Sequence, residues 1–180
     1  MSDLKSHAYR IRIVPKGITS LDFAGGMYAT APSKVGEPVR TEALGPSATG
    51  SQIWQVKRVV EDEGNYIISI PFDYNGPFDL PGWQHHNKPS GGEHVTYGTD
   101  NLSYFRITPA DLPGAYHIGV LSDSMAVGVL YAVGESEGNN VIIKSYALYP
   151  GYDKLLTRWQ FIPVESSEAV PPVVGGRYKH

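Results

Sequence analysis

The chain has no cysteine among its 180 residues. That excludes a disulfide framework, a thiolate metal site and a cysteine nucleophile. Charge is sparse as well: 18% of residues are Asp, Glu, Lys or Arg, the net charge is −3, and the two signs are interspersed. With a pI near 6.0, no basic field points to a nucleic-acid partner or an anionic membrane surface. The longest acidic cluster, Glu61 to Glu63, is too short to read as an interaction tail. No run of about 18 apolar residues suggests a membrane span. Met1 to Lys5 is polar and lacks the apolar stretch of a signal peptide. The expected location is therefore cytoplasmic, in keeping with the absent cysteines.

Helical patterning is also missing. No segment keeps a 3.6-residue apolar period for more than about two turns. What is present favours strands: 20 Gly and 14 Pro for turns, and 12 Tyr with frequent Val and Ile for pleated, half-buried segments. This is an all-β chain.

Two signals recur along it. A strand with Tyr near its start occurs at Ala8-Tyr9-Arg10-Ile11, Asn65-Tyr66-Ile67-Ile68 and Ala115-Tyr116-His117-Ile118. An aromatic strand occurs at Ile53-Trp54-Gln55-Val56, Tyr104-Phe105-Arg106-Ile107 and Arg158-Trp159-Gln160-Phe161. Both sets repeat at about 50 to 57 residues. The Tyr strand opens each unit and the aromatic strand closes it. Two more strands fit between: Met27 to Ala31 and Val39 to Ala43 in the first unit, Met125 to Val133 and Val141 to Leu148 in the third. The middle unit is obscured by Asp79 to Asn101, rich in Gly, Pro, His and Asn. Three four-strand units predict a β-trefoil, six strands closing a barrel and three hairpins capping one end, which leaves no long exposed edge. Trp54, Phe105 and Trp159 are then core plugs. The domain is expected to cover residues 1–165, with Ser166 to His180 as a flexible tail. Nothing requires more than a monomer.

Catalytic patterns are missing too: no glycine-rich phosphate loop, no H-E-x-x-H pair and no G-x-S-x-G elbow. His85, His86 and His94 come nearest to a metal cluster, but adjacent strand residues face opposite ways. Asp73 and Asp79 are an ordinary pair of acids in a turn-rich loop. The chain reads as no enzyme, with no catalytic residue, metal or cofactor. Function then falls to the loops. Val14 to Gly26 ends in Phe23-Ala24-Gly25-Gly26, where paired glycines allow positive φ and close approach to a partner. Leu44 to Ser51 carries Gly45, Pro46 and Gly50. Asp73 to Asp79 holds Asn75-Gly76-Pro77, a turn signal. For each, a tight turn is the plainer reading of residue types alone.

A resemblance sharpens these loops. Gly25-Gly26-Met27-Tyr28-Ala29-Thr30 resembles the second strand of the mycocypins, fungal β-trefoil cysteine protease inhibitors, and of their macrocypin branch in particular. Pro38-Val39 and Glu42-Ala43-Leu44-Gly45-Pro46 are similar to the next macrocypin segment, and Gln52-Ile53-Trp54-Gln55-Val56 to the clitocypin branch. Asn75, Pro77, Phe78 and Asp79 resemble a family N-x-P-F-acidic loop, and Arg158-Trp159 its last strand. The likeness runs over roughly residues 7 to 165.

This implies a reversible, non-covalent inhibitor of papain-like cysteine proteases. Phe23, Ala24, Gly25, Gly26 and Met27 would enter the cleft together with Leu44, Gly45 and Pro46. It further implies a second site for legumain, an asparaginyl endopeptidase, at Tyr74, Asn75 and Gly76. Two alternatives stay open. A β-trefoil lectin could use Trp83, His85, Asn87 and Asp100. An inhibitor of trypsin-like serine proteases could use Lys16 or Arg40, although Asn75 argues against trypsin at its own loop.

Overall fold

The computed structural model describes residues 4–46, 50–59, 64–71, 80–121 and 127–165. Tyr74, Asn75, Gly76 and the segment 166–180 lie outside the described residues.

Among the described residues twelve strands are present: β1 (His7–Val14), β2 (Met27–Thr30), β3 (Arg40–Ala43), β4 (Trp54–Arg58), β5 (Asn65–Ser69), β6 (Gly82–Gln84), β7 (Thr96–Gly98), β8 (Phe105–Pro109), β9 (Ala115–Val120), β10 (Val129–Glu135), β11 (Val141–Ala147) and β12 (Arg158–Pro163). One short 3₁₀ turn covers Tyr152–Leu155. Six strands close a ring of antiparallel pairs: β1 with β12, β12 with β9, β9 with β8, β8 with β5, β5 with β4, and β4 back to β1. The repeats thus build a closed barrel with β2–β3, β6–β7 and β10–β11 as hairpins outside it. This is the expected trefoil. The Tyr strands are β1, β5 and β9, and the aromatic strands are β4, β8 and β12.

The hairpins meet on the pseudo-threefold axis through three valines. Val39 N–H donates to the Val95 carbonyl (2.9 Å), Val95 N–H to Val141 (2.9 Å), and Val141 N–H to Val39 (2.8 Å). All three side chains are fully buried. The ring pairs backbone groups that three separate hairpin edges would otherwise leave unsatisfied.

Trp54, Phe105 and Trp159 plug the barrel as predicted, each with no exposed surface. Trp54 Nε1 donates to the Ala29 carbonyl (2.8 Å) and Trp159 Nε1 to that of Val133 (3.2 Å). The middle unit inverts this arrangement. Its plug is Phe105, which has no donor, and the place held by Ala29 and Val133 is taken by Trp83. The indole of Trp83 stands edge-on to Trp54 (5.7 Å), Phe105 (5.8 Å) and Trp159 (6.4 Å). Such pairs add about 0.5–1.5 kcal/mol each beyond the area they bury. A larger second-strand residue therefore accompanies a smaller plug, as close packing demands.

Two expectations need adjustment. β10 starts at Val129, after a turn at Val127 and Gly128 with Gly128 at φ 79°, and Met125, where that strand was expected to begin, lies outside the described residues. Trp83 is 0% exposed, so it cannot serve as the platform of a shallow sugar site with His85, Asn87 and Asp100.

Candidate functional site

The register of the first hairpin brings two predicted segments to one edge. Met27 pairs with Ala43, the outermost pair of the β2–β3 ladder. The residues just before Met27 and just after Ala43 therefore leave the same end of that ladder side by side. These are Phe23 to Gly26 and Leu44 to Pro46. Ala24, Gly25 and Pro46 are exposed, Leu44 is 52% exposed, and Phe23, Gly26, Met27 and Gly45 are partly buried.

The loop between β1 and β2 has no regular structure, so its carbonyls need other partners. Arg12, on β1, supplies them. Its Nη1 donates to the carbonyls of Phe23 and Gly25 (2.9 Å each), and its Nη2 to that of Leu21 (2.9 Å). Nε donates to Gln160 Oε1 on β12 (2.9 Å), and Nη2 also contacts that oxygen. These contacts match all five N–H donors of a guanidinium. The Phe23 ring covers the group from one face, 3.8 Å from its carbon to the ring centroid, a cation–π geometry. Arg12 is only 6% exposed.

A second arginine holds the start of the same loop. Arg158 Nη2 donates to the carbonyls of Pro15 (3.2 Å) and Ile18 (3.1 Å), and Arg158 Nη1 lies 3.5 Å from Asp111. Between them Ile18 N–H closes the Pro15 turn, and Asp22 N–H donates to Ser20 Oγ (3.2 Å).

The other half of the edge is tied from below. Gln52, 7% exposed, donates through Nε2 to Thr30 Oγ1 (3.0 Å) and to the carbonyls of Glu42 (3.3 Å) and Ala43 (3.1 Å). It joins β2, β3 and the chain leading to the Trp54 strand immediately beneath Leu44.

Gly26 is the tightest point. Its φ is 116°, and a Cβ there would sit 2.8 Å from Arg12 Cδ. Gly25, at φ 73°, has open space where a Cβ would go. Gly26 thus answers both a backbone and a packing requirement, and Gly25 a backbone requirement alone.

The other sequence candidates do not assemble. His86 Nδ1 lies 3.4 Å from Glu93, and His85 Nδ1 faces the His86 carbonyl at 2.7 Å. No group of three metal-ligating side chains occurs among the described residues. Asp73 and Asp79 lie outside them. Lys16 and Arg40 are both exposed. Gln52 and Arg158 stood in the sequence only as parts of family-like strand segments, and Arg12 and Gln160 were given no functional role; none of the four was expected to hold the loops. Arg12 and Gln160 are 148 residues apart, and the aromatic-strand repeat that contains Gln160 gives no reason to pair it with Arg12.

A closed trefoil that puts a stiffened edge of small residues at the end of one hairpin is a binding scaffold, built to present a surface. The family of that scaffold is clear: the model described as peptidase inhibitor clitocypin matches residues 8–161, and the chain belongs to this family of peptidase inhibitors. Its members act on proteases as inhibitors rather than as enzymes, so a protease is the partner to expect. No curated protein matches the chain.

Proposed function

We propose that this chain is a reversible, non-covalent inhibitor of papain-like cysteine proteases, and that it binds through Phe23 to Met27 together with Leu44 to Pro46. The convergence of those two segments at the Met27–Ala43 end of the first hairpin supports this reading best. Ala24, Gly25 and Gly26 make a narrow profile suited to a slot-like cleft, flanked by the apolar Leu44 and Met27. The chain has no thiol, so it cannot form a mixed disulfide with a catalytic cysteine. Inhibition on this reading is obstruction: the backbone of the edge occupies the place where substrate would lie. Segments already ordered before binding lose little conformational entropy in the complex.

Legumain is the second proposed target, through Asn75 with Tyr74 and Gly76 in the loop after β5. This rests on the resemblance of that loop to the family's, with an Asn side chain offered to an asparagine-specific pocket. Such a pocket discriminates strongly, because a mismatched side chain leaves its buried polar groups unpaired. A lectin activity has less support, since Trp83 is enclosed in the core.

Parallel titration of papain and legumain with the wild type, Gly25→Glu and Asn75→Ala tests both sites. Gly25→Glu should release papain and leave legumain inhibited, and Asn75→Ala should do the reverse. Wild-type protein that inhibits neither enzyme in large excess would reject the proposal. Papain inhibition undiminished by Gly25→Glu would remove the edge from it.

A further inference from the structure

We propose that Arg12 is the positioning residue of the inhibitory edge: from beneath the loop it fixes the backbone that a protease meets, and so keeps that loop an inhibitor rather than a substrate. This rests on the protease-binding reading of the edge, but its structural half can be tested apart from it.

Arg12 itself is in no position to touch an enzyme. It is 6% exposed, with the loop's own backbone around its guanidinium and the Phe23 ring across one face. What it controls is the loop. The three carbonyls it gathers belong to Leu21, Phe23 and Gly25, every second residue of the segment leading to Met27. Fixing alternate carbonyls inward fixes the peptide planes between them. The Ala24–Gly25 stretch is then held outward in one conformation without any β-ladder. The acceptors around the cation are all neutral: three backbone carbonyls and the amide oxygen of Gln160. Each is a charge-assisted hydrogen bond, about twice as strong as a neutral one.

Gln160 aims the fork. It lies directly across from Arg12 in the β1–β12 register, and its amide oxygen takes Nε and Nη2 together. With that oxygen on one side, the remaining donors can point only toward the loop. Lysine cannot reproduce this, because an ammonium is a point charge with three donors and no planar fork.

The consequence concerns cleavage. A protease cuts a segment that can be drawn into extended register through its active site. A loop pinned at residues 21, 23 and 25 resists that deformation, whereas a freed loop of small residues is a good substrate.

The test compares wild type, Arg12→Lys and Gln160→Leu in two measurements. In amide exchange, backbone amides 21–27 should exchange about tenfold or more faster in both variants while those of β1 and β12 keep their protection. In papain titration followed by mass spectrometry, both variants should inhibit about tenfold or more weakly and be cut between residues 21 and 27, with the wild type intact. Near-UV circular dichroism from the buried tryptophans reports whether each variant is folded. If Arg12→Lys does not fold, Gln160→Leu, which leaves the arginine in place, carries the same readouts. Folded variants with wild-type loop exchange, or with wild-type inhibition and no cut, would overturn the proposal. Wild-type protein that leaves papain active rejects the protease reading instead, and the exchange measurement still decides whether Arg12 orders the loop.

Discussion

The first and third units of the trefoil carry nearly the same edge and hold it differently. β3 ends in Ala43 and runs on into Leu44-Gly45-Pro46, and β11 ends in Ala147 and runs on into Leu148-Tyr149-Pro150. Leu44 is 52% exposed and Leu148 49%. A positive-φ glycine precedes the second strand in both, Gly26 at 116° and Gly128 at 79°. The support beneath differs. Arg12 stands opposite Gln160 across the barrel seam, and the equivalent pair in the third unit is Gly119 opposite Arg106. In the middle unit it is Ser69 opposite Gln55. A glycine at the central place cannot reach into a loop, and Arg106 is exposed. The third hairpin is also longer, with seven cross-strand pairs against four, so its leucine is carried further out along the ladder. A short run of similar residues therefore does not define this site. The guanidinium underneath distinguishes the first edge from its copy.

The largest expected effect comes from filling the space at Gly26. Gly26→Val puts a β-branched residue at φ 116° with its Cβ against Arg12 Cδ. Backbone strain alone costs about 1–3 kcal/mol, and the collision adds to it. The papain inhibition constant should rise about 100-fold. The melting temperature should fall by roughly 2–4 °C for each kcal/mol of that cost that the folded loop cannot relax away. Equal inhibition by this variant would mean that the first edge does not need its clamp.

The two leucines sharpen the contrast at lower amplitude. Leu44→Asp should weaken papain inhibition about tenfold, the loss of one well-placed apolar contact of about 1.4 kcal/mol. Leu148→Asp should change it by less than about twofold. A matching loss at Leu148 would break the comparison and make the third edge a second docking surface.

The smallest effect belongs to the third unit alone. His117 on β9 is buried, and its Nδ1–H donates to the Thr157 carbonyl at 3.1 Å. Burial lowers its pKa from the ordinary 6.5, outweighing the raising effects of that carbonyl and of Asp111 and Asp153, while Arg158 lowers it further. The native state therefore holds His117 neutral where the unfolded chain takes up a proton. Stability is at its full value above about pH 6.5, falls as the pH drops from there toward the lowered native pKa, and levels off below it. Thermal melts of wild type and His117→Gln across that window should show a steeper decline in the wild type. Parallel slopes would show that His117 is not responsible.

How much of this could be read beforehand depended on repetition. Trp54, Phe105 and Trp159 were legible as plugs because three aromatic strands recur at nearly even spacing, and the closed barrel followed. Trp83 was not, because it fills the place of the small residues Ala29 and Val133, and only the packed core shows that large and small exchange between units. The segments Phe23 to Met27 and Leu44 to Pro46 could be singled out through the family resemblance, while their residue types alone suggested tight turns. Their adjacency follows from a hairpin register that composition does not encode. The Arg12–Gln160 pair was illegible for a different reason. It joins the first and last strands, and a polar residue on an outward strand position ordinarily reads as solvated surface. Asn75 lies outside the described residues and still rests on the resemblance of its loop.

The axial ring of Val39, Val95 and Val141, with the β1–β12 seam, has a consequence for the birth of the molecule. The seam pairs Tyr9 with Pro163, so the first strand made must wait for the last. The ring cannot close until the third hairpin exists. On a ribosome releasing the chain from its N-terminus, the first hairpin can form early, but neither barrel nor cap is complete until nearly all of the sequence has emerged. Such non-local closure is slow. Even with β2 and β4 alongside it, β1 must therefore pass its time in synthesis with the edge that faces β12 unpaired, the interval in which a growing polypeptide is most open to aggregation or capture by a chaperone.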